Sequence, residues 1–232
     1  MNDDLAVLVP SRGRPDNVER LVHAWIDTGA TAALVVVCDD DDPLLPDYAD
    51  TWGRMRPEAP FMEVQVGPRV RLGPTLNREA VSLARSYRYL GFMGDDHLPV
   101  TVAWDEHIRD NLNNLNTGIA YGNDLHQGPN LPTAVFMTSD IVKALGYFCP
   151  PGLVHMYLDN AWKDWGTAMD RLRYLPQVII EHLHPDAGKA THDERYEETN
   201  TMMEPDHLAF GQYQSSGEFA KDCATLNALI NP

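Results

Sequence analysis

Asp95, Asp96 and His97 follow Gly94 at the end of a short apolar run over 89–93, and their placement calls for a chemical reason. Adjacent carboxylates repel unless a cation or hydrogen-bond donors lie between them. Oxygen ligands of this kind suit Mg²⁺ or Mn²⁺, ions that commonly neutralise a substrate's phosphates. The chemistry they point to is a metal-bridged diphosphate. The plainer alternative is a polar turn in which Asp96 caps the following helix. A second acidic stretch, Asp39 to Asp42, also closes an apolar run. Four anions in a row need at least one partner, and an aspartate there can accept from a base N–H and a ribose hydroxyl, while Asp41 and Asp42 read as solvated turn residues. Ser11, Arg12 and Arg14 sit in the first turn and could hold a nucleotide; an Arg-rich surface turn explains them equally well. Late in the chain, alternation along an extended segment puts His182 and His184 on one side, as two ligands from one strand would be, although structural histidines fit the same pattern.

The elements that must position these residues follow from periodicity. Residues 5–10 and 32–38 are continuous apolar runs, as in parallel strands covered on both faces. Val18, Leu21, Val22 and Trp25 recur at helical spacing behind Asp16, read as a cap. Residues 61–66 alternate as an edge strand does. Thr75 then caps a helix through Asn77, Ala80 and Ala84, with Arg69 and Arg71 before it as a natural anion site. Arg78 belongs to the same N-terminal gathering of arginines. Pro99 reads as a helix start, and Trp104, Ile108 and Leu112 form a core stripe. Residues 119–124 and 133–138 resume extended structure, with His126 in the loop between them. The first loop lacks the glycine patterns of dinucleotide folds and P-loops. The result is an α/β chain with strand ends bearing polar residues, where ligands dock.

In their order and spacing, Ser11-Arg12, the strand ending at Asp39, Gly73 with Asn77, and Gly94-Asp95-Asp96-His97 resemble the GT-A glycosyltransferases, in particular the large family-2-like group. The resemblance covers roughly 5–185. It implies a mostly parallel sheet flanked by helices, and a hexosyltransferase-type enzyme moving a sugar from a UDP- or GDP-sugar to an acceptor hydroxyl with inversion. It implies nucleotide contacts from Pro10, Ser11, Arg12, Asp39, Gly73, Asn77 and Asp95. It further implies Mn²⁺ or Mg²⁺ on Asp96, with His184 and His97 as further ligands. His97 stands where the family's usual Asp-x-Asp has its second acid. Asp159 matches the family's catalytic base, though Leu158 replaces the Glu that usually precedes it. The acceptor can be a glycan, a protein or a small molecule. Two rivals use the same residues: a nucleotidyltransferase acting on a sugar phosphate, and a non-catalytic glycan- or metal-binding module, for which Leu158 is the best support.

Composition bounds the setting. With 18 Lys and Arg against 34 Asp and Glu in 232 residues, the formal charge of −16 disfavours general nucleic-acid binding. Three scattered cysteines, Cys38, Cys149 and Cys223, define no zinc site or disulfide framework. No apolar run approaches the ~20 residues of a membrane span, and a soluble cytoplasmic protein is expected. The domain organisation expected is a catalytic unit over 1–185, divided into a nucleotide-sugar half (1–100) and an acceptor half (101–185). It is followed over 186–232 by a polar lid segment and C-terminal helices. The tail aromatics Phe210, Tyr213 and Phe219 either pack back or join a second subunit as a homodimer.

Overall fold

The computed structural model describes residues 4–184, 188 and 198–231. Its centre is an eight-stranded sheet of order β3-β2-β1-β4-β7-β6-β8-β5. The apolar runs become β1 (Leu5–Ser11), β2 (Ala33–Asp39) and β4 (Tyr89–Phe92), with β3 (Met62–Gly67) at the edge as the alternation requires. These four strands pair in parallel. The sheet continues through β7 (Val135–Thr138), antiparallel to both β4 and β6 (Ile119–Asn123); β8 (Leu172–His182) then runs parallel to β6 and antiparallel to β5 (His97–Pro99). The sheet is therefore mixed, with its parallel part grouped around β1. Chain direction through the order 3-2-1-4 places the carboxyl ends of β1, β2 and β4 on one edge, with the switch point between β1 and β4.

Helices cover both faces. One core packs Trp25 of α1 (Pro15–Asp27), Tyr48 of α2 (Leu45–Met55) and Trp104 of α4 (Trp104–Leu115) against the sheet. The other packs α3 (Leu72–Leu83), α5 (Ser139–Leu145) and α6 (Leu158–Ala168). Trp162 and Trp165 are buried in this second core, their indole N–H groups donating to Phe148 O and the Tyr213 hydroxyl. The C-terminal helices α7 (Met203–Ser215) and α8 (Glu218–Ile230) lie on this same layer. Tyr213 and Leu226 are buried, Phe210 and Phe219 pack against the core, and the Asp222 carboxylate accepts from the hydroxyls of Tyr147 and Tyr213. The tail aromatics thus pack back on the core of their own chain.

Several local expectations are corrected. Pro99 ends β5 rather than starting a helix; the next helix begins at Trp104, behind Ala103 in the left-handed region. Thr75 lies inside α3, whose N-cap is Arg71, and Asp16 sits in the first turn of α1 without capping it. Asp42 is buried, not solvated: its carboxylate accepts from Gly13 N at 2.7 Å and Leu44 N at 2.9 Å, tying the first loop to the second. Most of the expected lid segment, with Lys189, His192 and Tyr196, lies outside the described residues. No helix among the described residues is long and apolar enough to cross a membrane.

Candidate active site

The strand ends open into a cleft of about 550 Å³, a size suited to a small-molecule ligand. Its walls include Pro10, Ser11, Arg12, Asp39, Asp95, Asp96, His97, Asp159 and His184, so nine of the residues singled out in the sequence share one cavity. Gly73 and Asn77 do not line it. A Cβ on Gly73 would meet Leu153 O at 2.3 Å, so this glycine admits the passing backbone. The Asn77 side chain accepts from Phe148 N and Cys149 N at 2.8 and 2.9 Å and donates to Cys149 O at 3.0 Å, which makes it a brace between α3 and the turn at 149. Both were expected to help enclose a nucleotide, and both are placed behind the cleft wall. Arg78, also outside the cleft, pairs with Glu79.

Asp95 and Asp96 divide the work of the acidic pair. Because β1 and β4 are neighbours, Ser11 at the end of β1 donates from Oγ to Asp95 Oδ2 at 2.6 Å. Arg14 and Asn17 approach the other oxygen at 3.4 Å. Burial first, and the charge of Asp96 second, push the Asp95 carboxyl up to about 6. Asp96 faces the opposite way, with Oδ1 at 3.3 Å from His97 Nδ1 and 3.5 Å from His182 Nε2. Burial alone would raise its pKa; hydrogen bonding to His182, with His97 close by, outweighs that and holds the carboxyl well below the usual range.

Register explains this cluster. In the β5–β8 ladder His97 stands directly opposite His182, and their rings stack with centroids 4.1 Å apart. Ligand atoms of Asp96, His97 and His182 lie within 4.8 Å of one another. His184 is not part of that convergence. It lines the cleft and stacks on His126 at 5.5 Å, so the late histidine that converges with Asp96 and His97 is His182, not the expected His184. His126 is thereby part of the histidine array, next to the ligand set.

The residues present fit a divalent cation. A Cβ on Gly94 would come within 2.6 Å of Asp96 Oδ1 and 3.0 Å of His97 Nδ1, so glycine leaves this donor cradle open. Burial, and then the neighbouring His97, lower the pKa of His182, which keeps it neutral as a metal ligand must be. His97 Nδ1 already accepts a hydrogen bond from Gly94 N at 3.1 Å, making it the weaker imidazole donor.

Also lining the cleft, Tyr157 adopts a left-handed backbone (φ 64°) that ends the preceding loop and starts α6, placing Asp159 in its first turn. A helix N-terminus favours the anion, and Asn160 N donates to Oδ1 at 2.9 Å. Burial prevails, and the Asp159 carboxyl rises to about 6. The loop before it is held from a distance: the Asp206 carboxylate in α7, 1% exposed, accepts from the backbone N–H groups of Val154, His155 and Met156 at 3.0, 2.7 and 2.6 Å. Leu158, in place of a Glu, is buried in the core.

The part of the cleft around Arg12, Arg14, Arg69 and Arg71 is rich in cations already paired with the chain's own acids. Arg12 donates to Asp39 at 3.2 Å and also contacts Asp41, Arg14 reaches Asp95, and Arg69 and Arg71 share Glu198. Burial raises the Asp39 carboxyl, opposed by Arg12. Sequence reasoning missed the metal-facing choice of His182, the Asp206 clamp and Glu198. Only the first left a signal, the alternation of His182 and His184.

No protein-family model and no curated protein matches the chain. Solved structures do match. TarS of S. aureus in complex with UDP aligns with a TM-score of 0.60 and 12% identity over 76% of this chain and 59% of that one. The mannosyltransferase PcManGT of Pyrobaculum calidifontis, in complex with GDP-Man and Mn²⁺, aligns at 0.55 and 13% over 100% and 81%. The glucosyl-3-phosphoglycerate synthase of Mycobacterium tuberculosis, with Mn²⁺, UDP and phosphoglyceric acid, aligns at 0.54 and 12% over 80% and 74%. The chain thus spans under two thirds of the TarS structure. With its strand order, its flanking helices and these likenesses, the chain has the GT-A fold of nucleotide-diphospho-sugar transferases.

Proposed function

We propose that the protein is a glycosyltransferase that moves a hexosyl group from a UDP- or GDP-sugar to an acceptor hydroxyl with inversion, assisted by a divalent cation. What carries the reading is one observation: a single nucleotide-sized cleft is lined by Asp95, by an Asp96/His97/His182 ligand cluster and by a raised carboxyl, Asp159. Ser11, Arg12, Asp39 and Asp95 bind the nucleoside. Asp96, His97 and His182 would hold the cation, which supplies charge neutralisation for the departing diphosphate. A set of one carboxylate and two imidazoles favours Mn²⁺ over Mg²⁺, which prefers carboxylates and water. Asp159 takes the acceptor proton; a pKa near 6 leaves it mostly ionised at neutral pH yet basic enough to act.

The test is calorimetric binding of UDP and GDP and their sugars, with and without Mn²⁺, followed by a search for transfer with labelled donor. One donor class binding in a Mn²⁺-dependent manner, with label appearing in an acceptor, supports the proposal. Metal-dependent cleavage of a nucleoside triphosphate with a sugar phosphate would replace it by the nucleotidyltransferase reading. Binding without any turnover would replace it by the binding module.

A further inference from the structure

Two guanidinium groups in the cleft converge on a single oxygen. Arg69 Nη2 and Arg71 Nη1 donate to Glu198 Oε1 at 2.5 and 2.6 Å. Glu198, with Thr199, Asn200 and Met202, belongs to the cleft wall, and all three charged side chains remain partly exposed, at 26%, 37% and 30%. Arg71 reaches this position from a backbone of φ 73° and ψ 174°, a region nearly restricted to glycine; such conformations persist where the surroundings enforce them and cluster at ligand clamps. Arg12 and Arg14 face acids in the neighbouring strand-end loops, and Arg69 Nε also lies 3.8 Å from Asp39, whereas Glu198 comes from a segment more than 120 residues away along the chain.

We infer that Arg69 and Arg71 form a phosphate-binding subsite whose place the chain's own Glu198 carboxylate takes, so that an anionic ligand binds there by displacing an internal competitor. The inference rests on reading the cleft as a nucleotide-diphosphate site, and adds to it both the residues that receive the phosphate and a built-in control on its entry. A carboxylate and a phosphate oxygen satisfy a guanidinium in the same way. A phosphoryl group brings more oxygens and more charge to the same two arginines, so it can win the exchange. Until it does, the Glu198 contact reduces the competent fraction of the protein and weakens apparent affinity by that factor.

Isothermal titration of wild type, Glu198→Gln, Arg71→Ala and the double variant with inorganic pyrophosphate, UDP, GDP and uridine tests this. Removing the charge of Glu198 is expected to tighten pyrophosphate, and the nucleoside diphosphate that binds, by about tenfold, if the contact is formed roughly nine-tenths of the time. Uridine, which carries no phosphate, should be unaffected, and the gain should vanish in the double variant. If Glu198→Gln binds pyrophosphate no more tightly than wild type, or if the gain survives loss of Arg71, the subsite is refuted. A nucleoside diphosphate that binds, with neither it nor pyrophosphate gaining from Glu198→Gln, would leave the nucleotide reading standing and remove the competitor. A gain with pyrophosphate that UDP and GDP do not share would uphold the subsite and overturn the nucleotide reading.

Discussion

Replacing Asp159 by Asn separates chemistry from folding at one side chain. The wild-type carboxyl titrates near 6, against ~3.9 in an unfolded chain, because burial outweighs the Asn160 N–H and the helix N-terminus. A shift of about two units corresponds to at most ~3 kcal/mol. Asp159 lines an open cleft and keeps some contact with water, so about half of that, ~1–2 kcal/mol, is a realistic cost of holding it ionised. The sign follows from proton linkage. Between pH 4 and 6 the folded protein binds more protons than the unfolded one, so wild-type stability falls as pH rises through that window and stays lowered above it. Asn is neutral throughout and keeps an oxygen to accept from Asn160 N. The variant should match wild type at pH 4 and exceed it at pH 7, with a Tm gain of about 2–8 °C, while transfer drops by about 10²–10⁴-fold. Scanning calorimetry at pH 4 and 7, with donor binding and initial rates at pH 7, measures all of this. A variant that transfers at the wild-type rate would remove Asp159 from the chemistry. One no more stable than wild type at pH 7 would refute the account of its burial.

The remaining predictions concern the walls around that residue. The wild-type kcat/KM should show an acid limb near pH 6, lost with the Asp159 carboxyl and visible in a pH–rate profile at saturating Mn²⁺. His182→Ala should cost more Mn²⁺ affinity than His97→Ala, because His97 Nδ1 is already engaged by Gly94 N–H; titration followed by electron paramagnetic resonance of free Mn²⁺ ranks them, and the reverse order would reassign the ligands. Gly94→Ala should weaken Mn²⁺ binding at least tenfold, an estimate in line with losses from disturbing ligand orientation, since the added methyl meets Asp96 Oδ1 and His97 Nδ1. Asp206→Ala strands three backbone N–H groups and should destabilise the protein by about 2–4 kcal/mol in urea unfolding; a change below ~1 kcal/mol would show that water replaces the carboxylate easily.

Much of residues 1–100 was legible because the signals there are local. The apolar runs ending at Ser11, Asp39 and Asp95 carry strand, strand end and polar group within a few residues of one another, and parallel pairing brings those ends together. Residues 101–185 were less legible, because their determinants are not local. His182 and His184 alternate onto one side, and choosing between them needed the register of β8 on β5, a three-residue strand containing Pro99 that no periodicity announces. Gly73 and Asn77 resemble ligand contacts in sequence; their actual partners, near Leu153 and Cys149, lie more than seventy residues downstream. Asp42 looked like a solvated turn because the Gly13 N–H it satisfies belongs to another loop. Arg71 adopts a glycine-like backbone that its residue type argues against.

The Asp206 clamp has a consequence for the order in which the molecule is built. A ribosome releases β1 to β4, and with them the strand ends that line the cleft, long before α7 emerges. The loop from 154 to 156 lacks its anchor throughout that interval. The stretch of wall before Asp159 is therefore among the last parts of the cleft to acquire its shape during synthesis. A nascent chain stalled before residue 206 would already carry Ser11, Asp39 and Asp95 while that turn was still untethered.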